Sequence, residues 1–474
     1  MTTYINSIKI NNNQLTITHN SKIQNKDCQS CTDLNNKTQL HAVHNPTATA
    51  TGITRETAKK YADESLKFYN ISPELYPNYG DTLYRYIKDI YKTTNSEILL
   101  IPNPSVVTQY VYVKLKYGNF GLIEPNNDTN PSTMKNIESK ISNFNTKWFQ
   151  NNSNIDWTDK KQNWAGAQFR CINGQGQCGD CWANSTTECI TMRLSIYTGY
   201  YCPLDIMELA NCDTTNYGCN GGWMSVAMNW INKNNLHGPK CTSNNYNDGY
   251  FNTTCNNTPC NSSNNNYTVT CDSVNDLSSS TNNSVAKWNY TWENAYNGVS
   301  MSNTDKQNLI NELGNGPVTI AIAQAGTNKF QSYNGGVYNW VETNNYKTDH
   351  AVLLVGYIKC KSKKDPSKIN EYWKIQNSWK NTWGDNGYFY VAAADGNDDF
   401  DQTEENKAFP ITQPTVCTPS FVKLPSNPIT NYQSPGLNKC CPVDAFTPNV
   451  SCTALPNPVN YTGEIKFPLG LDNY

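Results

Sequence analysis

The chain has 474 residues and a formal net charge of −2 at pH 7, with 37% hydrophobic and 16% charged residues. This length allows about three ordinary domains, and the near-neutral charge gives no reason to expect nucleic acid or an anionic membrane as a partner. The sequence contains no run of about 18 apolar residues, so we predict no membrane-spanning helix.

The first 50 residues form a polar segment of low complexity that is rich in Asn and Thr. This segment contains the pair Cys28 and Cys31, which could bind a metal or do redox chemistry. We favour a loop disulfide or free thiols, because the pair lacks a strand–helix context. Its first residues lack the apolar stretch of a signal peptide.

Residues 51–150 have a more regular pattern than the segment before them. Apolar spacing predicts helices over residues 54–69 and 83–91. Alternating apolar side chains predict a strand over residues 108–115. This part of the chain is therefore expected to be folded.

The most informative run is residues 175–184, in which Cys181 precedes a helical pattern. A thiol at a helix N-terminus faces the positive end of the helix dipole, which lowers the thiol pKa and favours the thiolate. Gln175 lies shortly upstream and could direct its side-chain amide toward an oxyanion that develops beside Cys181. The run thus predicts a nucleophile together with an oxyanion donor.

A thiolate nucleophile needs a base, and only two histidines follow Cys181 in the sequence. His237 lies in a segment typical of an exposed turn, whereas His350 begins an apolar, strand-like run. We therefore predict His350 as the base. Asn377 could orient the imidazole through its side-chain oxygen, and Trp379 could keep water away from that bond.

Four motifs in this order resemble the papain-like cysteine peptidases, and the cathepsin L and papain branch in particular. They are Gln-Gly-Gln-Cys-Gly-Asp-Cys-Trp at residues 175–182, Gly-Cys-Asn-Gly-Gly at 218–222, Asp-His-Ala-Val at 349–352, and Asn-Ser-Trp with the following Trp-Gly-Asp-Asn-Gly-Tyr at 377–388. The similarity runs from about residue 155 to residue 411.

The resemblance implies an α+β, papain-like fold in which a helical subdomain and a β-barrel-like subdomain flank an active-site cleft. The order of the predicted elements agrees with this, because helices come first and strands later. Helices are predicted over residues 181–197, 204–211, 223–232 and 304–313, and strands over residues 318–323, 350–358, 372–376 and 387–393.

The resemblance also implies a cysteine-type endopeptidase that acts on proteins or peptides and needs no metal or organic cofactor. Its catalytic residues would be Cys181, His350, Asn377 and Gln175. The substrate-binding residues would be Gly221, Gly222, Trp223, Asp349 and Trp379. Disulfides would join Cys178 to Cys219 and Cys212 to Cys255.

By the same resemblance, residues 51–150 are expected to be an inhibitory propeptide, with an added binding domain as the alternative. Residues 151–411 would be the peptidase domain, with a disulfide-tied surface insertion at about 240–300. Residues 412–474 would be a Cys- and Pro-rich extension. Eighteen cysteines and many glycosylation sequons favour a lysosomal, vacuolar or secreted protein.

Three positions depart from the pattern of the family. Asp180 replaces the usual Ser or Ala, Asn184 replaces the usual Phe, and Lys380 replaces the usual Gly. The site residues are also farther apart in sequence than the roughly 130–150 residues typical of the family. These changes and the two flanking extensions leave open an inactive scaffold or binding protein. An aminopeptidase with a partly blocked cleft is also open, because residues 240–300 or the C-terminal extension could block one end of the cleft. The oligomeric state is not indicated.

Overall fold

The computed structural model describes residues 3–11, 14–21, 46–123, 154–158, 172–238, 267–276, 300–338, 348–362, 365–397, 408–423 and 453–454, apart from gaps of one or two positions. The α-helices of four or more residues within these ranges are Arg55–Phe68 (α1), Tyr79–Thr94 (α2), Pro104–Gln109 (α3), Cys181–Thr198 (α4), Ile206–Cys212 (α5), Met224–Asn234 (α6), Asn303–Leu313 (α7) and Asn328–Gln331 (α8).

The strands of the described ranges fall into one large sheet and three two-stranded ribbons. They are Thr3–Asn11 (β1), Gln14–Ser21 (β2), Thr47–Thr49 (β3), Ile98–Leu100 (β4), Ile155–Asp156 (β5), Tyr200–Tyr201 (β6), Leu236–His237 (β7), Thr268–Asp276 (β8), Val318–Ile322 (β9), His350–Lys361 (β10), Ile369–Gln376 (β11), Tyr388–Ala392 (β12), Thr412–Lys423 (β13) and Thr453–Ala454 (β14).

The N-terminal region, residues 46–123, is built around the packed helices α1 and α2 and the ribbon of β3 and β4. Thr54 caps α1, because its side chain accepts a hydrogen bond from the Thr57 backbone N–H at 3.1 Å. The apolar faces of both helices are buried in the same core cluster as the rest of the molecule. The region therefore packs against the chain that follows it.

The prediction of a strand over residues 108–115 is wrong, because these residues continue α3 into a π-helical turn, Tyr110–Lys114. Asn103 starts this helix by accepting a hydrogen bond from the Ser105 backbone N–H at 2.8 Å, and Pro104 fits the first turn. All six residues of α3 are buried. A helix buried on all sides lacks the one-sided polarity by which helices are recognised in a sequence.

The large sheet is antiparallel and has the order β12–β11–β10–β9–β13–β8–β7, with β5 also paired to β10. Helix α4 packs against β9, β10 and β13 of this sheet, and against α5 and α6 on its other side. The helices and strands predicted after residue 180 are all present, with bounds that differ by a few residues. The fold is the predicted α+β fold, a helical part beside a strand-rich part.

Strands β8 and β13 lie in parts of the sequence that we did not expect to join the sheet. Strand β8 lies within the range expected to be a surface insertion, and β13 begins just after residue 411. The two strands pair with each other, and β13 also pairs with β9. A disulfide between Cys271 and Cys417 links them. The sheet of the peptidase-like part therefore extends to Lys423.

Candidate active site

Cys181 lies at the first position of α4 and is completely buried. Its Sγ accepts a hydrogen bond from the Ala351 backbone N–H at 3.4 Å, and Ala351 follows His350 on β10. Helix and sheet thus meet at the thiol. The loop before Cys181 is held by the Cys178–Cys219 disulfide, which agrees with the expected pairing.

His350 is completely buried and lies between Asn377 and Trp379. Its Nε2 is 2.7 Å from Asn377 Oδ1, an oxygen that also accepts a hydrogen bond from the Ser378 backbone N–H. Because that oxygen is an acceptor, Nε2 carries the proton and Nδ1 is the acceptor nitrogen of the neutral ring. His350 Nδ1 has no hydrogen-bond partner among the described residues.

The indole of Trp379 covers the imidazole of His350. The two rings stack with centroids 5.1 Å apart and an interplanar angle of 24°. Trp379 is itself fully buried and contacts Trp383 edge-on at 5.2 Å. The stack excludes water from the His350–Asn377 hydrogen bond, which is the arrangement expected from the sequence.

The side chain of Gln175 is fixed by the residue that follows Asn377. Ser378 Oγ donates a hydrogen bond to Gln175 Oε1 at 2.5 Å, and the Gln175 backbone N–H donates to the Ser378 carbonyl at 3.1 Å. Because Oε1 is engaged, the amide group Nε2 faces the cleft. There it donates to the carbonyl oxygen of Phe120 at 3.2 Å. An amide of this kind can stabilise negative charge on a carbonyl oxygen.

The segment Phe120–Ile123 of the N-terminal region occupies the cleft. The Phe120 N–H donates to the Asp349 carbonyl at 3.0 Å, the Gly222 N–H donates to the Gly121 carbonyl at 2.9 Å, and the Ile123 N–H donates to the Gly222 carbonyl at 3.0 Å. Leu122 therefore pairs with Gly222 as a parallel bridge. A peptide backbone already uses the groups that the sequence assigned to substrate.

Side chains of the same segment fill the apolar surfaces of the cleft. Leu122 is 3% exposed and packs in one cluster with Cys181, Trp223 and Met224. Phe120 is fully buried and contacts the ring of His350, with centroids 5.9 Å apart. These contacts exclude solvent from both the thiol and the imidazole.

Two of the cleft's close approaches require glycine. Gly121 has a φ of +116°, and a Cβ there would lie 2.2 Å from the Gly179 carbonyl oxygen. A Cβ at Gly222 would lie 2.6 Å from the indole of Trp182. The segment crosses the loop before Cys181 at a distance that no other residue type permits. Gly221, the neighbour of Gly222, has a φ of +131° and lies beside the side chain of Ile123.

In the covered cleft, burial shifts the pKa of the thiol and of the imidazole in opposite directions. Burial raises the pKa of Cys181, and the charge of Asp180 raises it further, while the hydrogen bond from Ala351 opposes the shift. Burial lowers the pKa of His350 to about 4, although its bond to Asn377 acts in the other direction. The prediction of a lowered thiol pKa is therefore wrong for the covered cleft, because burial outweighs the helix dipole.

Sequence reasoning missed two side chains of the N-terminal region that hold it on the site. Gln109 is completely buried, and its Nε2 donates to the Cys178 carbonyl at 2.9 Å and also to the Gly176 carbonyl. Lys114 Nζ lies 3.4 Å from Asp349 Oδ2. We predicted a strand over residues 108–115, whereas the helical backbone of this stretch brings both side chains to the cleft.

His237 is not in an exposed turn, contrary to the prediction. It lies in β7 with a side chain 14% exposed, and its Nδ1 is 2.7 Å from Glu208 Oε1. The turn residues around it gave no sign of this partner on α5. Cys212 forms a disulfide, and its expected partner Cys255 lies outside the described residues, as do Cys28 and Cys31. Cys189 is a buried free thiol.

The three departures from the family pattern lie close to the site. Asp180 and Asn184 are 2% and 3% exposed, and the Asn184 backbone N–H and side-chain amide both donate to the Asp180 carbonyl, at 2.9 and 3.1 Å. Lys380 adopts the left-handed conformation, with a φ of 62°, in which glycine is more usual. Asn184 thus holds the Asp180 backbone, whereas Asp180 Oδ1 and Asn184 Oδ1 have no hydrogen-bond partner among the described residues.

Within the described ranges, no group of three or more His, Cys, Asp or Glu side chains is arranged to hold a metal ion. No helix in the same part of the chain is long and apolar enough to cross a bilayer.

Comparisons with known proteins bear on the same part of the chain. A model of the papain family of cysteine proteases matches residues 151–407. Cysteine proteinase RD21A of Arabidopsis thaliana is 30% identical over 298 residues, which cover 60% of this chain and 54% of the relative. Cathepsin J of Mus musculus is 32% identical over 232 residues, which cover 47% of this chain and 56% of the relative. The chain thus spans just over half the length of these curated relatives.

Among solved structures, digestive procathepsin L 3 of the Tenebrio molitor larval midgut aligns with 75% of this chain and 98% of its own, at 20% identity and a TM-score of 0.42. Family membership rests on the family model, which covers more than half of the chain, and on the sequence relatives. The chain belongs to the papain family of cysteine proteases.

Proposed function

We propose that this chain is the latent form of a cysteine-type endopeptidase, with Cys181 as nucleophile and the N-terminal region as its inhibitor. The observation that carries the proposal is the Phe120 carbonyl, which accepts a hydrogen bond from Gln175 Nε2 while the flanking backbone pairs with Gly222 and Asp349. The site thus holds a peptide by its main chain and directs an oxyanion donor at one of its carbonyls.

The chemistry follows from the position of each group. His350 Nδ1 takes the proton of Cys181, and the thiolate attacks the scissile carbonyl carbon. Gln175 Nε2 and the Cys181 backbone N–H stabilise the oxyanion. His350 then gives its proton to the leaving amine, and it later activates the water that releases the acyl group. Asn377 and Trp379 hold the imidazole in the required tautomer.

Latency follows from burial. While residues 120–123 fill the cleft, burial favours the neutral thiol and the neutral imidazole, so the reactive ion pair is disfavoured. The tether gives the segment a high effective concentration, so a free substrate competes poorly until the tether is cut. Residues 150–154, between the N-terminal region and β5, are the proposed cleavage region.

The path of residues 120–123 through the cleft favours endopeptidase action over the removal of terminal residues. Phe120 lies beside His350 and Trp379, whereas Leu122 and Ile123 lie beside Trp223 and Gly222. A chain therefore passes across the thiol and continues on both sides. Proteins or unfolded segments are the proposed substrates, and the two described disulfides favour an oxidising compartment such as a lysosome, a vacuole or the extracellular space.

The test is labelling with a thiol-reactive epoxide, together with hydrolysis of a peptide library, before and after cleavage of the full-length chain near residues 150–154. We expect little labelling before cleavage, and stoichiometric labelling with endopeptidase activity after it. Cys181→Ala should abolish both, whereas Cys189→Ala, which removes another buried free thiol, should retain them. Equal activity before and after cleavage would exclude the inhibitory role, and a cleaved chain without activity would favour a scaffold.

A further inference from the structure

Asp180 is a buried carboxyl group that the proposed mechanism does not use. It immediately precedes Cys181, is 2% exposed, and its Oδ1 has no hydrogen-bond partner among the described residues. A charged carboxylate in such a position is unfavourable unless it is paired. Its backbone carbonyl, by contrast, accepts hydrogen bonds from the backbone N–H and the side-chain amide of Asn184.

The charged groups around the thiol come from three directions. His350 begins β10 and Asp349 directly precedes it, Asp180 lies on the loop before α4, and Lys114 approaches from the N-terminal region. Lys114 is paired with Asp349, which also accepts hydrogen bonds from the Ala325 and Gly326 backbone N–H groups. Asp349 is therefore compensated, and Asp180 is the acid with an unpartnered oxygen.

We propose that Asp180 sets the alkaline limit of Cys181 reactivity: its neutral carboxylic acid tolerates the thiolate, and its carboxylate opposes it. This proposal rests on the proposed role of Cys181 as nucleophile. Asp180 acts through Cys181 and is not itself expected to contact substrate. The neighbouring Asn184 is part of the same arrangement, because it holds the Asp180 backbone at the start of α4.

The physical basis is the position of a second negative charge next to the thiolate. Burial raises the pKa of Asp180 to about 8, while its own backbone N–H and the Asn184 side chain favour the charged form. At acidic pH the group is neutral and leaves the thiolate unopposed. As pH rises through about 8 the carboxylate forms, and its repulsion of the thiolate shifts Cys181 toward the neutral thiol.

The experiment measures the alkylation rate of Cys181 by iodoacetamide between pH 5 and pH 9, in the full-length chain after cleavage near residues 150–154. Iodoacetamide is uncharged, so its rate reports the thiolate fraction and not the attraction of the reagent. Wild type is compared with Asp180→Asn and Asp180→Ser, and Cys181→Ala gives the background. Asp205→Asn is the matched control, because Asp205 is an equally buried acid that caps α5.

We expect wild type and both Asp180 variants to react at similar rates at pH 5. Above about pH 8 the variants should react about tenfold faster than wild type, which corresponds to a change of about one unit in the thiol pKa. Asp205→Asn should follow wild type at every pH. A purely structural role of Asp180 would change the rate by the same factor at all pH values.

Two results would overturn the proposal while leaving Cys181 as nucleophile. One is an alkylation profile of Asp180→Asn that coincides with wild type up to pH 9, and the other is a difference that is constant across the whole range. Failure of the proposed function has a different signature: a cleaved wild-type chain whose alkylation matches the Cys181→Ala background at all pH values. That result would remove both proposals.

Discussion

The N-terminal region and strand β13 both lie outside residues 151–407, which match the family model. They contact the matched part of the chain in different ways. The N-terminal region lies over the cleft and is held there by apolar packing, by hydrogen bonds from side chains such as Gln109, and by the backbone of residues 120–123. Strand β13 instead lies inside the sheet, between β8 and β9. The N-terminal region can therefore leave the molecule without breaking the sheet, whereas β13 cannot.

The comparison shows that position in the sequence does not reveal which added segment is removable. Strand β13 provides part of the surface against which α4 packs, so it supports the helix that carries Cys181. The N-terminal region contacts the same helix at its first residue, Cys181, which packs in one cluster with Leu122. We therefore expect the loss of β13 to destroy the site and the loss of the N-terminal region to open it.

The largest effect is expected from shortening the chain at its C-terminal side. A chain that ends at residue 411 lacks β13, which leaves the edges of β8 and β9 unpaired and removes the Cys271–Cys417 disulfide. It should be insoluble or lack a cooperative unfolding transition. A chain that ends at residue 423 keeps the strand and is the control. Cooperative unfolding of the 411 chain, measured by circular dichroism, would show that β13 is dispensable.

The next-largest effect is expected from a substitution in the cover, the segment of residues 120–123 that fills the cleft. Gly121→Ala introduces a Cβ that would lie 2.2 Å from the Gly179 carbonyl, so the segment must move out of the cleft. We expect the uncleaved chain to react with a thiol-reactive epoxide at least tenfold faster, since about 1.4 kcal/mol of strain corresponds to a factor of ten.

The matched control for this substitution is Gly52→Ala. Gly52 also has a positive φ, of +73°, but nothing lies within 4 Å of the position of its Cβ. It therefore carries the same kind of backbone strain in the same N-terminal region without the clash. If both variants reacted equally fast, general loosening of the region, and not contact at the cleft, would explain the effect.

Much of the site was predictable because its residues lie in local motifs. Cys181, His350 and Asn377 each begin or follow a strongly patterned element, and their pairing follows from the sheet. An inhibitory region over residues 51–150 was expected from the family resemblance, but the residues that enter the cleft were not predictable. The helix before them is buried on all sides, and Gly121 resembles any turn glycine. The partner of Cys417 was not predictable either, since disulfide connectivity depends on which strands are neighbours and not on spacing.

The pH dependence of the free energy of unfolding should distinguish the contribution of the cover from that of the rest of the fold. Burial lowers the pKa of His350 to about 4 from a usual value of 6.5, so the folded chain binds fewer protons than the unfolded chain in that interval. This contribution to stability is present above about pH 6.5 and is lost as pH falls toward 4, by a few kcal/mol at most.

Denaturant unfolding of the uncleaved chain at pH 7 and pH 4.5 measures this contribution. His350→Gln should lose less stability than wild type between the two values, because Gln has no proton to gain. Cleavage and removal of the N-terminal region should shrink the difference, since His350 then gains access to water. An unchanged difference after removal would place the cause in the sheet and not in the cover.

The smallest effect is expected at the ion pair between Lys114 and Asp349, whose charged atoms are 3.4 Å apart at the margin of the cleft. Partly exposed pairs of this kind contribute about 1 kcal/mol or less, so Lys114→Met should speed epoxide labelling of the uncleaved chain by about fivefold or less. Lys116→Met is the control, because Lys116 is exposed on the same helical stretch and is not paired with Asp349. Raising the salt concentration should reduce the difference between wild type and Lys114→Met, since salt screens the pair. An equal effect of both substitutions would mean that the lysine stems, and not the charge on Asp349, hold the cover in place.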